Sequence, residues 1–330
     1  MTGSSPALSI VVTGRHDDYG VDFTERLLTA LQFNCDRLAD AGVACEIVLV
    51  EWNPVPGRPP LCDVVSRRVA LPSCCTLTRI VVAPEYHVAF TQNPRLGYLE
   101  YVAKNVGIRR ATAPWILVTN TDVLLGRHVV GTIAGGRLAR GTVHRAARFD
   151  IMMSADQSHL TWDALERPTN HVRTPVLEPP LFSGGSGDFV LTDRDTLLRL
   201  GGYSEVYRAA RAGIDLNFLV KAYGCGYPIA DIGGPVYHIN HTGSFRLSKA
   251  AHRDNPSDTP WGDLGWHSRH VTYNNPDAWG LAEAPARRLG DGTIVLDFDW
   301  RAVPPLVELR RIVLPVGRAD GAAEPRVAKP

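Results

Sequence analysis

The sequence predicts an α/β fold with a mostly parallel central sheet flanked by helices. Two observations predict it: continuous, β-branched apolar runs recur through the first half of the chain, and segments of helical apolar spacing separate them. Residues 8–13 (LSIVVT) form the first such run and end at Gly14. Over 23–41 the apolar residues Phe23, Leu27, Leu28, Leu31 and Leu38 fall on one helical face. Residues 46–50 (EIVLV) read as a second buried strand, after which Pro54, Pro56, Pro59 and Pro60 enforce a loop. A third strand follows at 79–82, a helix at 98–111 and a fourth strand at 115–119 (WILVT). A strand buried on both faces reads as a near-continuous apolar run, as these segments do.

After about residue 126 the pattern loosens. A strand is expected at 143–151, a long loop at 154–180 and a short strand at 188–191. A helix is expected at 193–200, opened by an Asp cap and closed by Gly201-Gly202, and another at 215–223, closed by Gly224. Short strands are expected at 236–238 and 293–298, and the last dozen residues read as a frayed end.

Composition narrows the function. The 330 residues carry Lys+Arg 35 against Asp+Glu 34, a net charge of +1, which gives no support for a nucleic-acid binder or a polybasic membrane anchor. No apolar run reaches the roughly 18 residues of a membrane helix, and residues 1–7 lack the basic and apolar regions of a signal peptide, so a cytoplasmic protein is expected. None of the six cysteines sits in a C-x-x-C pair, and free, buried or half-buried thiols are the simplest expectation.

In an open parallel sheet, ligands bind beyond the carboxyl ends of the strands. Acids follow three of them: Asp17 and Asp18 after the first, Glu51 after the second, and Asn120-Thr121-Asp122 after the fourth. Carboxylates gathered at one edge repel unless a cation or a donor-rich ligand joins them, and a divalent metal or a nucleoside meets that need. Other phosphate-handling signatures are missing. No P-loop, no G-x-G-x-x-G after the first strand and no G-x-S-x-G elbow is present. Gly184-Gly185-Ser186-Gly187 reads either as a close backbone approach to a ligand or as a flexible turn.

Five segments in order carry a resemblance: SIVVTGRHDDYG (9–20), KNVGIRRATAPWILVTNTDVLL (104–125), GDFVLTDRDTLLRLGGYSE (187–205), AGIDLNFLVKAYGCGY (212–227) and VYHINH (236–241). Together they resemble the GT-A glycosyltransferases, broadly family 2 and its relatives, and within them a bacterial group that also has an N-P-x-x-W-G-L segment, here at 275–281. The resemblance implies a GT-A domain over 1–245, a C-terminal extension over 246–316 on the acceptor side and a frayed tail over 317–330. It implies transfer of a sugar from a nucleotide-diphosphate sugar to a hydroxyl-bearing acceptor (a glycan, a lipid-linked sugar or a small natural product), with Mn2+ or Mg2+ at Asp122 and at His238 or His241. Nucleotide-sugar contacts fall on Thr13, Gly14, Arg15, Asp17, Asp18, Glu51, Lys104, Asn120, Thr121 and Asp188. Asp215 stands where the family's general base stands in inverting enzymes. Trp162, Trp261, Trp266 and Trp279 are candidates for stacking on an acceptor sugar.

Two departures from the family pattern are visible. Asn120 replaces the first acid of D-x-D, and Ile214-Asp215 replaces the E-D pair. A retaining glycosyltransferase, a sugar nucleotidylyltransferase and a non-catalytic nucleotide-sugar binder therefore stand as alternatives, and a homo-oligomer is left open. Positions three apart on one strand face opposite ways, so His238 and His241 reach one site only if the chain turns between them.

Overall fold

The computed structural model describes residues 5–151, 160–168, 171–173, 177–185, 187–208, 213–241, 271, 274 and 277–304. It is a mixed α/β structure with one large sheet between two layers of helix and loop. The chain runs β1 (Leu8–Gly14), α1 (Phe23–Asp40), β2 (Cys45–Trp52), α2 (Leu61–Arg68), β3 (Cys75–Val82), α3 (Pro84–Phe90), α4 (Glu100–Arg110) and β4 (Trp115–Thr119). It continues through β5 (Val123–Leu125), α5 (Arg127–Ala134), β6 (Val143–Ile151), α6 (Trp162–Leu165), β7 (His171–Arg173), β8 (Phe189–Asp193) and α7 (Arg194–Leu200). It ends with α8 (Ile214–Gly224), β9 (Ile229–Ile239), β10 (Ala286–Arg288) and β11 (Ile294–Leu296). Among the described residues no helix is long and apolar enough to cross a membrane.

The sheet order is β10-β11-β3-β2-β1-β4-β8-β6-β9-β5, with β7 beside β6. From β11 to β4 all neighbours are parallel. Beyond β4 the sheet is mixed: β8 is antiparallel to β4 and β6, while β6 and β9 are parallel. The parallel reading of the sequence holds for the first half, where apolar runs are continuous. It gives way where β6 and β9 carry polar residues that the site uses.

Alternate residues of the strands feed two cores. Val11, Val48, Val50 and Trp52 face the layer built on α4, α7 and α8. Ile10, Val12, Cys45, Ile47 and Leu49 face the layer built on α1 and α2. Helix α4 lies so close to β1 that a Cβ on Gly107 would sit 2.5 Å from Val11 Cγ1. Its polar residues are also enclosed. Asn105 Nδ2 donates to Tyr203 O (2.8 Å) and Glu205 Oε1 (2.9 Å), while Arg109 and Arg110 donate to the carbonyls of Trp279, Gly280 and Leu281. The K-N-V-G-I-R-R segment is thus an internal bracket that ties the C-terminal residues 279–281 to the sheet. The described part of the C-terminal extension also lengthens the sheet, with β11 parallel to β3 through Ile294 opposite Ile80. Residues 305–330 and most of 242–276, with Trp261 and Trp266, lie outside the described residues.

Asp193 caps α7 as expected. Its carboxylate accepts from Thr196 N (3.1 Å), Thr196 Oγ1 (2.8 Å) and Gly141 N (2.7 Å). Burial opposes its ionisation, but these donors outweigh burial and hold its pKa below the ordinary carboxylate value. A depressed folded pKa means the contribution is present above the unfolded pKa of about 3.9 and is lost as pH falls through the folded value. Asp193→Ala is expected to cost about 1–2 kcal/mol in urea denaturation at pH 7. The gap between wild type and variant should narrow below about pH 4; a gap that stays constant to pH 2.5 would contradict the cap's ionic character.

Candidate functional site

Strands β2 and β4 flank β1 on opposite sides, so the connections leaving β1 and β4 diverge and open a crevice at their carboxyl ends. A cavity of about 550 Å³ occupies it. Its walls are the loop after β1, residues 94–100 leading into α4, the turn after β4, Arg148 of β6 and the end of β9.

The loop after β1 supplies Thr13, Gly14, Arg15 and Asp17 to the wall. Thr13 Oγ1 hydrogen-bonds the Tyr98 hydroxyl. Arg15 Nε donates to Asn53 O (2.8 Å), and Asn53 Nδ2 donates to Gly97 O (2.8 Å), joining the ends of β1 and β2 to the opposite wall. Gly14 is required by packing, since a Cβ there would lie 2.8 Å from the Phe23 ring and 2.9 Å from Leu61. The guanidinium of Arg26, on the first turn of α1, collects the carbonyls of Tyr19, Gly20 and Val21 and so fixes this loop. Its Nε lies 3.5 Å from Asp122 Oδ2.

Asp122, His238 and His241 converge. Their ligand atoms lie within 4.8 Å of one another and all three are buried. His238 Nε2 is 3.6 Å from Asp122 Oδ1, and His241 Nε2 is 3.3 Å from Asp122 Oδ2. The chain does turn between the histidines: β9 ends at Ile239, and His241 lies past it with its ring centroid 5.4 Å from that of His238. His238 Nδ1 lies 3.0 Å from Asp150 Oδ1 and 3.1 Å from Arg148 NH2, contacts that set the orientation of the ring. Burial pulls the His241 pKa down to about 4, so this ring is neutral at pH 7, as a ligand must be. His241 Nδ1 is buried without a hydrogen-bond partner and packs on Gly20, where a Cβ would lie 2.4 Å away. A carboxylate and two imidazoles set this close fit a divalent cation, whose bonds of about 2.0–2.2 Å need only a small closure of the three side chains.

Asn120 lines the cavity beside this cluster, but its amide is already engaged. Its Oδ1 accepts from Lys104 Nζ (2.7 Å), and its Nδ2 donates to Asp188 Oδ1 (2.8 Å). A carboxylate at position 120 would face Asp188 without that N–H donor, so the departure from D-x-D has a local cause. Asp188 Oδ2 in turn accepts from Arg148 NH1 (2.8 Å), and Arg148 NH2 also reaches Asp150 Oδ1 (2.5 Å). Burial opposes ionisation of Asp150, but His238 and Arg148 outweigh it and hold its pKa at about 2.

The structure sets some sequence-predicted residues apart from the cavity. Lys104 is fully enclosed, donating to Glu100 Oε1 (2.6 Å), Asn120 and Gly187 O (3.2 Å), so its charge is matched internally. Glu51 is buried under the first turn of α2, where Oε2 accepts from Cys62 N (3.3 Å), and desolvation raises its pKa. Asp18, at φ 60°, accepts from Phe23 N (3.3 Å) and so caps α1. Asp188 sits beneath Asn120 and Arg148. Thr121 and Asp17 line the cavity, Asp17 Oδ2 pairing with Arg15 NH1 at 3.2 Å. Trp279 is buried with Arg109 stacked 4.4 Å from its ring, and the Trp162 indole donates to Leu125 O (3.0 Å); both are packing residues.

Asp215 lies in the first turn of α8, whose cap is Gly213 at φ 83°. A Cβ on Gly187 would lie 3.3 Å from Asp215 Oδ2, 3.1 Å from Tyr101 Oη and 3.7 Å from Asn120 Nδ2. The absent side chain of Gly187 therefore keeps the space between Asp215 and the cavity wall at Asn120. Burial lowers the pKa of nearby Arg145, and the Asp215 charge offsets part of that shift.

Arg148, Asp150 and Arg26 were not singled out from the sequence. The signal for the first two was R-x-D inside a strand: positions two apart share a face, and an opposite-charge pair on an otherwise enclosed strand marks a polar site.

No family model matches the chain, and no curated protein matches it in sequence. Solved structures with some similarity include S. aureus TarS residues 1–349 (11% identity, TM-score 0.41, 70% of this chain and 60% of that one). A second is GalNAc-T7 with UDP, GalNAc and Mn2+ (14% identity, TM-score 0.44, 71% of this chain and 43% of that one). A third is the catalytic domain of Drosophila beta1,4-galactosyltransferase 7 with xylobiose (14%, TM-score 0.43, 91% and 98%). This chain thus spans less than two thirds of the first two. At such identities and scores the cavity's own residues carry the functional argument.

Removing the cation that serves two buried acids leaves Asp188 only the neutral Asn120 amide and Asp150 only the His238 ring among the partners described above. Arg148→Met is expected to cost about 3–5 kcal/mol in urea denaturation, with Arg148→Lys recovering part of it. A loss below about 1 kcal/mol, the range of an exposed pair, would show that the pairing carries no weight.

Proposed function

We propose that this protein is a GT-A-type glycosyltransferase that moves a sugar from a nucleotide diphosphate to an acceptor hydroxyl. The observation that carries the reading is the convergence of Asp122, His238 and His241 on one wall of the cavity at the carboxyl ends of β1 and β4. The cavity has the size of a small-molecule site and presents both signs of charge, as a nucleoside joined to a metal-bound diphosphate requires.

Asp122, His238 and His241 would hold Mn2+ or Mg2+, which neutralises charge on the diphosphate leaving group when bound. Thr13, Arg15 and Asp17 offer the donors and the acceptor for the nucleoside end, and Thr121 lies between the two. Asp150 and Arg148 orient His238, and Arg148 outweighs burial to hold Asp188 ionised beneath Asn120, so the wall is preorganised. Asp215 takes the acceptor's proton as its oxygen attacks the anomeric carbon, whose bond to the diphosphate oxygen breaks on the opposite face, a single displacement that inverts the centre. A side chain at Gly187 would crowd that carboxylate.

Thermal melting against UDP-, GDP-, TDP- and ADP-sugars, each with Mn2+ and with chelator, tests the donor. Binding at about 100 times the dissociation constant adds roughly 2.7 kcal/mol, so one nucleotide class should raise Tm by several degrees and only with metal. No shift with any of them would sink the reading. With the donor known, Asp215→Asn is expected to lower kcat by about 10²-fold or more while donor affinity holds. Unchanged turnover would remove Asp215 from the mechanism.

A further inference from the structure

At the opposite end of the strands from the cavity, a second set of side chains converges that the proposed reaction does not use. Cys45 and Cys75 are the first residues of β2 and β3 and stand directly opposite each other in the parallel pairing. Their side chains share a face, and their sulfurs lie 3.2 Å apart. Cys35, from α1 packed on that face, brings its sulfur within 4.8 Å of both. Cys74 stands beside them, its sulfur 4.0 Å from that of Cys75. Cys35, Cys45 and Cys75 are buried, while Cys74 is half-exposed and gives solvent a way in.

We propose that Cys35, Cys45, Cys75 and Cys74 form a thiolate site for a closed-shell thiophilic cation, Zn2+ in the first instance. Four sulfurs match the number that a closed tetrahedral site takes, and Zn–S bonds of about 2.3 Å place neighbouring sulfurs about 3.8 Å apart. The Cys45–Cys75 and Cys74–Cys75 separations of 3.2 Å and 4.0 Å bracket that value; Cys74 lies outside the mutual 4.8 Å cluster of the other three and swings inward to complete the four. Each thiol releases its proton to solvent as it binds. Strands rise about 3.3 Å per residue, so an eight-residue strand sets this site roughly 23 Å from the cavity. The role is structural: the ion staples α1 to β2 and β3 where no backbone ladder joins helix to sheet.

The full-length protein, purified without added metal and dialysed against EDTA, is expected to retain about one Zn2+ per chain. An organomercurial that titrates thiols should release it. Substitution by Co2+ separates this site from the cavity, because only thiolate ligands give an intense sulfur-to-cobalt charge-transfer band. That band should persist in His238→Ala and in Cys62→Ser and disappear in Cys75→Ser. The organomercurial release on wild type keeps the test independent of whether Cys75→Ser folds. Absence of retained metal together with no charge-transfer band overturns the proposal. So does a native mass two hydrogens lighter, which would mean a Cys45–Cys75 disulfide.

Discussion

Charge must be matched wherever it is enclosed, and the floor of the cavity is organised by that constraint. Lys104, Asn120, Asp188, Arg148, Asp150, His238, Asp122 and Arg26 follow one another in contact, each presenting to its neighbour the opposite charge or the complementary hydrogen-bonding group. Taking an isolated charge out of water costs several kcal/mol, so no member can be left alone. The members come from α4, the turn after β4, the residue before β8, β6, β9 and α1. Whatever holds the polar chain together therefore also holds those elements in register.

That constraint explains which parts of the site could be read from the sequence. Residues that follow strands, such as Asp122 and Asp17, were legible because strand ends place side chains in the crevice whatever their partners. Each histidine was legible as a candidate ligand, and strand periodicity set the condition for both to reach one site, a turn between them. Lys104 and Glu51 have the residue types of ligand contacts, but burial turned them inward, and burial depends on elements distant in sequence. Glu51 lies under α2, a helix hidden within a proline-rich stretch. Lys104 is covered from Gly187, far along the chain.

The fold divides in a similar way. The strands β1 to β4 were legible because each contains an unbroken apolar run, at 10–12, 47–50, 80–82 and 116–118, as a doubly covered sheet favours. Helices α2, α3 and α5 have eight residues or fewer, too short for helical spacing to stand out. Strand β9 runs from Ile229, but Gly233, Gly234 and Pro235 interrupt it at a register shift against β6, so only its last residues read as a strand. The antiparallel entry of β8 beside β4 is a property of chain topology that no local pattern encodes.

The two outermost strands on the sheet's main path, β10 and β5, have three residues each. At one end β10 carries exposed Arg287 and Arg288 and shields β11 and the apolar β3 behind it. At the other, β5 is buried, and the indole of Trp162 takes up the Leu125 carbonyl. A long sheet normally offers its edges as templates on which another chain can add a strand, the first step towards fibrous association. Here each flank offers only a stub, one repelling its like and the other covered. Protection from self-templating is thus bound up with the C-terminal hairpin, and a chain ending before residue 286 would leave β3 bare.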